Sequence, residues 1–215
     1  MLLYYITDRA ELGHTESDRR RRLLQTIEEA VACGIDFIQL REKDLPIREL
    51  EILGTQAEQI VRESRGGSTR LLVNSRVDVA IAAQAQGVHL RSNDISPLDA
   101  RAAWRKVEAE QVPVVVVSCH TEGEVARAAE SGADFVVFGP VFEKKNMTDI
   151  VPRGLDRLHS ACAFKIPVLA IGGVTHENAA LCVNAGAAGV AGIRLFQDRD
   201  MTETVTRLRE SVRNS

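Results

Sequence analysis

Short apolar runs alternate with segments of helical period along the whole chain. Most runs are unbroken, which is typical of parallel strands that are covered on both faces. The segments between them place apolar residues three and four positions apart, as a helix with one buried face does. The runs predict eight strands, at residues 3–6, 36–40, 71–73, 87–90, 114–117, 135–138, 168–171 and 189–193.

Three similar joints connect helical segments to the strands that follow. Gly34, Gly132 and Gly186 each stand directly after a helical segment, where glycine commonly ends a helix. Strands that alternate with helices predict an α/β fold with a parallel sheet. Eight such units in 215 residues predict a (β/α)8 TIM barrel, with one domain over residues 1–215 as the simplest division.

Composition and charge narrow the function classes. A formal net charge of −3 argues against a nucleic-acid or membrane-surface partner. The arginines at 19–22 start a helical segment and are interpreted as a solvated helix face. The four cysteines lack metal-ligand spacing and are interpreted as small buried hydrophobes. Without a secretory leader or an apolar stretch of about 20 residues, the sequence predicts a cytoplasmic protein.

The first candidate site follows the second apolar run. Barrels of this kind build their active sites at the carboxyl ends of the strands. Gln39, Arg41 and Lys43 alternate there and are expected to point to one side. Such a set suits an anion with several oxygens, because arginine offers a planar fork and lysine a point charge. The other interpretation is a salt-bridged network with Glu42 and Asp44, and the position at a strand end favours the anion site.

Polar residues also follow the third, fourth and fifth runs. Asp94 is either a carboxylate ligand of Mg²⁺ or a cap of the helix that begins near Pro97. Asn74 has the same two interpretations, contact or cap. Ser118 and His120 alternate after the fifth run, and His120 is a candidate for phosphate contact or for proton transfer.

Glycines stand at the ends of the seventh and eighth runs. The backbone amides of Gly172 and Gly173, with those of Gly192 and Arg194, could cradle a phosphate. The other interpretation is a tight turn that needs glycine for its backbone conformation.

Seven short motifs occur in order along the chain, and each is weak by itself. They are Tyr5-Ile6-Thr7-Asp8-Arg9, Gln39-Leu40-Arg41-Glu42-Lys43, Arg76-Val77-Asp78-Val79-Ala80, Gly87-Val88-His89-Leu90, Ser118-Cys119-His120-Thr121, Phe138-Gly139-Pro140-Val141-Phe142 and Ile171-Gly172-Gly173-Val174-Thr175. With this set the chain resembles the thiamine phosphate synthases, and their close relatives the thiazole tautomerases, over nearly its whole length.

The resemblance implies a transferase that acts on two small phosphorylated molecules. A pyrimidine that carries a methylene pyrophosphate is joined to a thiazole that carries a phosphate, which gives thiamine phosphate and pyrophosphate. The pyrophosphate is implied to leave first, and the thiazole nitrogen then captures the pyrimidine-methyl cation. Such a reaction requires charge stabilisation on the leaving group more than a strong general base.

The resemblance also implies roles for individual residues. The pyrimidine and its pyrophosphate are implied to be held by Gln39, Arg41, Lys43, Asn74 and Ser118. Asp94 is implied to be a Mg²⁺ ligand and Gly173 to belong to the thiazole-phosphate loop. Ser75 stands where the synthase pattern has a second metal-ligating aspartate, so we expect weakened Mg²⁺ binding. Arg91 and Arg194 replace small residues at the mouth and could partly stand in for the ion.

The loop after the sixth run departs from both branches of the family. Its length resembles that of the tautomerases, but Pro140 stands where they have a histidine. The pyrophosphate clamp of the synthases is replaced by residues 143–148, in which Lys144 or Lys145 could act, and Lys145 is the predicted substrate contact. Length and charge make residues 143–152 the candidate lid.

Three functions stay open. The first is a synthase, and the second is a tautomerase-like isomerase in which His120 carries the proton. The third is a noncatalytic binder of thiazole phosphate or thiamine phosphate. The sequence also leaves open association into a homo-oligomer. For the first function the predicted catalytic residues are Arg41, Lys43, Ser118 and His120.

Overall fold

A closed barrel of parallel strands lies at the centre of the structure. The computed structural model describes residues 1–64, 68–107, 111–143, 151–197 and 200–213. The strands pair in sequence order, and β1 closes the ring on β8. They are β1 (Leu2–Ile6), β2 (Phe37–Leu40), β3 (Arg70–Asn74), β4 (Gly87–Leu90), β5 (Val114–Cys119), β6 (Phe135–Phe138), β7 (Val168–Ile171) and β8 (Gly189–Gly192). The predicted (β/α)8 barrel is confirmed.

Helices surround the barrel and cover it with their apolar faces. In the described ranges they are α1 (Glu16–Ala32), α2 (Ile47–Glu63), α3 (Val77–Ala82), α4 (Pro97–Lys106), α5 (Glu122–Glu130), α6 (Gly154–Cys162), α7 (Ala179–Asn184), α8 (Arg194–Gln197) and α9 (Met201–Arg213), with a short 3₁₀ turn at Arg9–Glu11. In α1 the predicted stripe of Leu23, Ile27 and Ala30 is fully buried. Because these residues lie three and four apart, they share one face of the helix.

Three strands extend further than the apolar runs predicted, and the first of them, β1, begins one residue earlier, at Leu2. Asn74 is the last residue of β3, and Ser118 lies within β5 rather than after it. Both residues keep their backbone pairing in the sheet, while their side chains hydrogen-bond to polar groups of neighbouring strands, Gln39 for Asn74 and His89 for Ser118. Two predicted ends were one residue too long. Asp36 precedes β2 and accepts a hydrogen bond from Leu3 N–H, and Ile193 follows β8 in the turn to α8.

Aromatic side chains fill the barrel interior. Tyr4 is completely buried there, and its ring lies 5.9 Å from that of Phe37 and 5.8 Å from that of Phe135, both edge-on. The His89 ring stacks on Tyr4 at 5.6 Å. The barrel is therefore packed solid in its interior, and ligand chemistry belongs at its mouth, where the strands have their carboxyl ends.

The closure between β8 and β1 depends on a residue without a side chain. A Cβ atom at Gly189 would lie 2.1 Å from the carbonyl oxygen of Leu2. The two backbones can approach only because glycine occupies this position. At the helix ends, Gly34, Gly132 and Gly186 have φ angles of 75°, 77° and 103°, as the three joints predicted.

The cysteines are all free thiols. Cys119 and Cys182 are buried, whereas Cys33 and Cys162 are partly buried. Burial raises the pKa of the Cys119 thiol to about 12. In the ranges that the structure describes, no helix combines the length and the apolarity needed to cross a membrane.

Candidate active site

The segment after β2 is fixed by a buried network. The Thr7 hydroxyl accepts a hydrogen bond from the Arg41 N–H at 3.0 Å and donates to the Glu42 carboxylate at 2.5 Å. The other Glu42 oxygen accepts hydrogen bonds from the backbone N–H and the guanidinium of Arg9, each at 3.1 Å. Arg9 and Glu42 are both buried. The backbone of Arg41 is therefore held rigidly at the mouth.

This network corrects one interpretation of the sequence. Glu42 and Asp44 are engaged by Arg9, whose guanidinium lies 2.6 Å from one Asp44 oxygen and 2.9 Å from the other. The two carboxylates were expected to be the alternative partners of Arg41 and Lys43. Within the described part of the chain, neither Arg41 nor Lys43 forms a salt bridge. Both cations are thus available to a ligand.

Two arginine side chains lie close enough to Lys43 at the mouth to perturb its ionisation. Repulsion from Arg41, partial burial and repulsion from Arg91 lower the pKa of Lys43, against a smaller opposing effect of Asp8. We call Arg41, Lys43 and Arg91 the mouth cations. A bound anion would relieve their mutual repulsion, so the electrostatics of this region favour a negatively charged ligand.

A chain of polar groups crosses the ends of β2, β3 and β4. The Gln39 amide donates to the Asn74 side-chain oxygen at 3.3 Å, and the Asn74 amide donates to the Ser75 hydroxyl at 3.3 Å. Ser75 in turn lies close enough to hydrogen-bond Asp94. The barrel register explains the contact between Gln39 and Asn74. Gln39 pairs with Leu72 on the neighbouring strand, and Asn74 lies two residues further along on the same face of β3. The structure thus brings Gln39 and Asn74 together, as expected for one site.

Asp94 is engaged by Arg91. One carboxylate oxygen accepts the backbone N–H of Arg91 at 2.8 Å, and the other accepts the guanidinium Nε and Nη2 at 3.1 and 2.9 Å. Partial burial disfavours ionisation of Asp94, but hydrogen bonds from Arg91 and Ser75 outweigh it and lower the pKa. Ser96 caps α4 by accepting the N–H of Asp99. The interpretation of Asp94 as the cap of α4 was therefore wrong.

The residues around Asp94 do not fit a Mg²⁺ ion. Ser75 offers a neutral hydroxyl instead of a second carboxylate, and Arg91 donates to both oxygens of Asp94, through its backbone N–H and its guanidinium. Among the described residues, no three His, Cys, Asp or Glu side chains are grouped to hold a metal ion. A divalent cation at Asp94 would also lie beside the positive charge of Arg91.

A second polar chain reaches the mouth from inside the barrel. His89 Nδ1 lies 2.8 Å from the Tyr4 hydroxyl, and Nε2 lies 2.8 Å from the Ser118 hydroxyl. Burial, with repulsion from Arg41, lowers the pKa of His89 to about 3, so the ring is neutral. One ring nitrogen therefore donates and the other accepts. The chain fixes the Ser118 hydroxyl.

Tyr4 and His89 were missing from the candidate residues of the sequence analysis. A signal existed, since His89 stands in an otherwise apolar strand, at the position that pairs with Asn74 across β3 and β4. A histidine on the inner face of a barrel strand needs polar partners, which only the three-dimensional arrangement reveals.

His120 lies apart from this chain. Its side chain is exposed, and its Nδ1 lies 2.7 Å from the carbonyl oxygen of Gly139. Because a carbonyl only accepts, Nδ1 carries the hydrogen and Nε2 is the nitrogen that can accept a proton. In the described part of the chain, no hydrogen bond joins His120 to Ser118.

The loop after β7 approaches the segment after β6 closely. Gly173 has a φ angle of 66°, and a Cβ atom there would lie 2.4 Å from the carbonyl oxygen of Glu143. Gly172 precedes it with a φ angle of 91°. Asn178 fixes the loop, because its side chain donates to the Gly173 carbonyl at 3.0 Å and accepts the Thr175 N–H at 2.8 Å. Close backbone approach thus explains the glycine at 173.

The end of β8 completes this side of the mouth. Ile171 pairs with Ala191, so Gly192 lies beside the β7 loop. The guanidinium of Arg194 is more than half exposed and lies 3.5 Å from the Glu11 carboxylate. The Arg194 side chain thus forms an ion pair with the segment that follows β1. Lys144 and Lys145, predicted as pyrophosphate contacts, lie outside the described residues.

Comparisons with known proteins agree with this geometry. Residues 3–196 match the family model described as thiamine monophosphate synthase. A putative thiamine-phosphate synthase of Geobacter sulfurreducens is 40% identical over 204 residues, which cover 94% of this chain and 89% of the relative. A thiamine-phosphate synthase of Moorella thermoacetica is 37% identical over 195 residues, which cover 89% of each chain.

A solved structure shows the same architecture. Thiamine phosphate pyrophosphorylase from Pyrococcus furiosus superposes with a TM-score of 0.81 and 31% sequence identity. The match covers 99% of this chain and 96% of that chain. With the family model and the relatives above, this chain belongs to the thiamine monophosphate synthase family.

Proposed function

We propose that this protein couples a pyrimidine methylene pyrophosphate to a thiazole phosphate and releases pyrophosphate, giving thiamine phosphate. The observation that carries the proposal is the group of mouth cations, in which Arg41 and Lys43 have no salt-bridge partner among the described residues. Family membership supplies the substrate class, since relatives are named thiamine-phosphate synthases.

In this proposal the mouth cations stabilise the leaving group. The bond between the pyrimidine methylene carbon and the pyrophosphate oxygen breaks, and negative charge grows on the departing oxygens. Arg41 and Lys43 donate hydrogen bonds to those oxygens. Thr7 holds the Arg41 backbone before substrate arrives, so little reorganisation opposes the reaction. The Ser118 hydroxyl, oriented by neutral His89, contributes another donor.

The thiazole phosphate occupies the other side of the mouth in this proposal. The loop of Gly172 and Gly173 lies beside Gly192, at the neighbouring ends of β7 and β8. Phosphate sites after the seventh and eighth strands are frequent in barrels of this kind. The mouth cations follow β2 and β4, so the two anionic groups are held apart while the thiazole nitrogen meets the pyrimidine carbon between them.

The proposal places the reaction in the cytoplasm. The four thiols are free, which suits a reducing compartment. Association into a homo-oligomer stays a prediction.

The test is the coupling reaction with purified protein and its Arg41→Ala variant. We expect product from the wild type and a loss of at least about a hundredfold in kcat/KM for the variant, since it removes a charge-assisted contact to the leaving group. Circular dichroism and thermal unfolding should match the wild type, because Arg41 forms no salt bridge with a described residue. Arg105→Ala, on the exposed side of α4, removes the same charge away from the mouth and should retain activity.

Other results would overturn the assignment. A wild-type protein that is stabilised by thiamine phosphate but forms no product would be a noncatalytic binder. Full activity in Arg41→Ala would remove Arg41 from the pyrophosphate site.

A further inference from the structure

The Arg91 guanidinium is anchored at one edge and open at the other. Its Nε and Nη2 bind the Asp94 carboxylate, whose side chain is only 11% exposed, whereas the Arg91 side chain is 62% exposed. A guanidinium carries five N–H donors. The two bonds to Asp94 leave both hydrogens of Nη1 and one of Nη2, and no described residue accepts from Nη1.

The backbone holds this side chain in place. The N–H of Asp94 donates to the Arg91 carbonyl at 3.1 Å, and the Arg91 N–H donates back to the Asp94 carboxylate at 2.8 Å. The turn after β4 is therefore closed by two bonds in addition to the ion pair. A donor fixed in this way loses little conformational entropy when a ligand binds.

We propose that Arg91, held by Asp94, replaces the divalent cation, so that this protein binds the pyrophosphate leaving group without Mg²⁺. The inference deepens the proposed function and rests on it for the identity of the leaving group. Arg91 presents two parallel donors to phosphate oxygens, as arginine does at many phosphate sites.

The local charge supports the replacement. Asp94 and Arg91 together carry no net charge, and Ser75 adds none. A Mg²⁺ ion between Asp94 and a phosphate would have to compete with the Arg91 guanidinium for one carboxylate oxygen and with the Arg91 backbone N–H for the other. Arg41 and Lys43, which already repel each other, would then face two further positive charges.

The experiment measures the affinity of inorganic pyrophosphate by calorimetry, in EDTA and in excess Mg²⁺. The measurement in EDTA decides the question, because Mg²⁺ also binds pyrophosphate in solution and so changes the free ligand in the other measurement. We expect the wild type to bind in EDTA, with Arg91→Ala weakened at least about tenfold through loss of charge-assisted hydrogen bonds. Arg105→Ala is the matched control and should bind like the wild type. Binding that vanishes in EDTA, or an unaffected Arg91→Ala variant, would overturn the inference.

A double variant should convert metal-independent binding of pyrophosphate into Mg²⁺-dependent binding. Ser75 has a φ angle of 59°, a conformation that aspartate tolerates, so Ser75→Asp adds a carboxylate without strain. In the double variant Ser75→Asp/Arg91→Ala, pyrophosphate binding should become dependent on Mg²⁺. Metal-independent binding by this double variant would show that Arg91 is not the group that replaces the ion.

The coupling assay separates this inference from the proposed function. Coupling that proceeds in EDTA supports both. Coupling that requires Mg²⁺ overturns the inference and leaves the function standing. Pyrophosphate binding in EDTA without any coupling overturns the function and leaves the metal-free anion site standing.

Discussion

His89 lies between a tyrosine of the barrel interior and a serine of the mouth. Its two hydrogen bonds, to Tyr4 and Ser118, are both 2.8 Å long. The folded protein holds the ring neutral, because burial lowers its pKa from 6.5 to about 3. The unfolded chain therefore binds one more proton than the folded protein between these pH values. The contribution of His89 to the free energy of unfolding is therefore fully present above pH 6.5 and is lost progressively as the pH falls towards 3.

We predict that His89→Gln removes part of the acid sensitivity of the protein. The wild type should lose about 1.4 kcal/mol of unfolding free energy per pH unit below pH 6.5 from this group, or about 2 kcal/mol by pH 5. Urea unfolding at pH 7, 6 and 5 measures the two slopes. Tyr4→Phe is the control, because it keeps the burial that causes the shift and should retain the wild-type slope. Equal slopes in wild type and His89→Gln would mean that folding leaves this proton equilibrium unchanged.

Strand position predicts which residues reach the mouth but not which side chains they contact. The mouth positions of Gln39, Arg41 and Asn74 follow from their places at strand ends, which the apolar runs locate. The partners of Glu42 do not, since proximity along the chain suggested Arg41 whereas the structure pairs Glu42 with Arg9. That pairing arises because β1 and β2 are neighbours in the barrel, and it depends on distances that the sequence does not contain.

At the scale of elements, α5 begins with a capping box. The Thr121 hydroxyl accepts the Glu124 N–H, and the Glu124 carboxylate accepts the Thr121 N–H at 3.2 Å. Two backbone donors of the first turn are thereby satisfied. Glu124 also accepts the N–H of His120, so the cap fixes the connection between β5 and α5.

We predict that Thr121→Ala destabilises the protein by about 1 kcal/mol, because an N-cap hydroxyl is lost. Denaturant unfolding provides the measurement. Thr55→Ala is the control, since Thr55 is exposed on α2 and its hydroxyl only bonds back to the Glu51 carbonyl. A Thr121→Ala variant as stable as Thr55→Ala would show that the cap contributes little to the folded protein.

Elements were more predictable than contacts. All eight strands were located from apolar runs alone, because a strand covered on both faces leaves an unbroken signature. At the mouth, β3 extends to Asn74 and β5 through Ser118, beyond the predicted ends. There the strands continue to pair while their side chains become polar, so hydrophobicity ends before the strand does.

At the scale of the whole molecule, closure of the barrel depends on small residues where strands meet. Gly189 faces the Leu2 carbonyl between β8 and β1, and Gly87 faces the Val114 carbonyl between β4 and β5. Both glycines were predicted to lie in strands, and the apolar pattern offers no reason for glycine at either position. The reason is the distance between neighbouring backbones, which exists only once the sheet has closed.

We predict that Gly189→Ala costs at least about 2 kcal/mol of stability, because its Cβ would overlap the Leu2 backbone. Thermal and urea unfolding measure the loss. Gly123→Ala is the control, since a Cβ atom there would lie 3.7 Å from the Arg127 side chain, an ordinary contact, and alanine favours the helix. Wild-type stability in Gly189→Ala would mean that β1 and β8 can separate without cost.

The pairing of β1 with β8 also determines the order of events on the ribosome. Tyr4 and Tyr5 are synthesised well before their partners Ala191 and Gly192, which lie at the far end of the barrel sequence. Until then one edge of β1 has unpaired backbone groups, which invite pairing with other chains. Closure of the barrel therefore has to wait for the translation of β8, and until then the open edge of β1 is exposed to association with other chains.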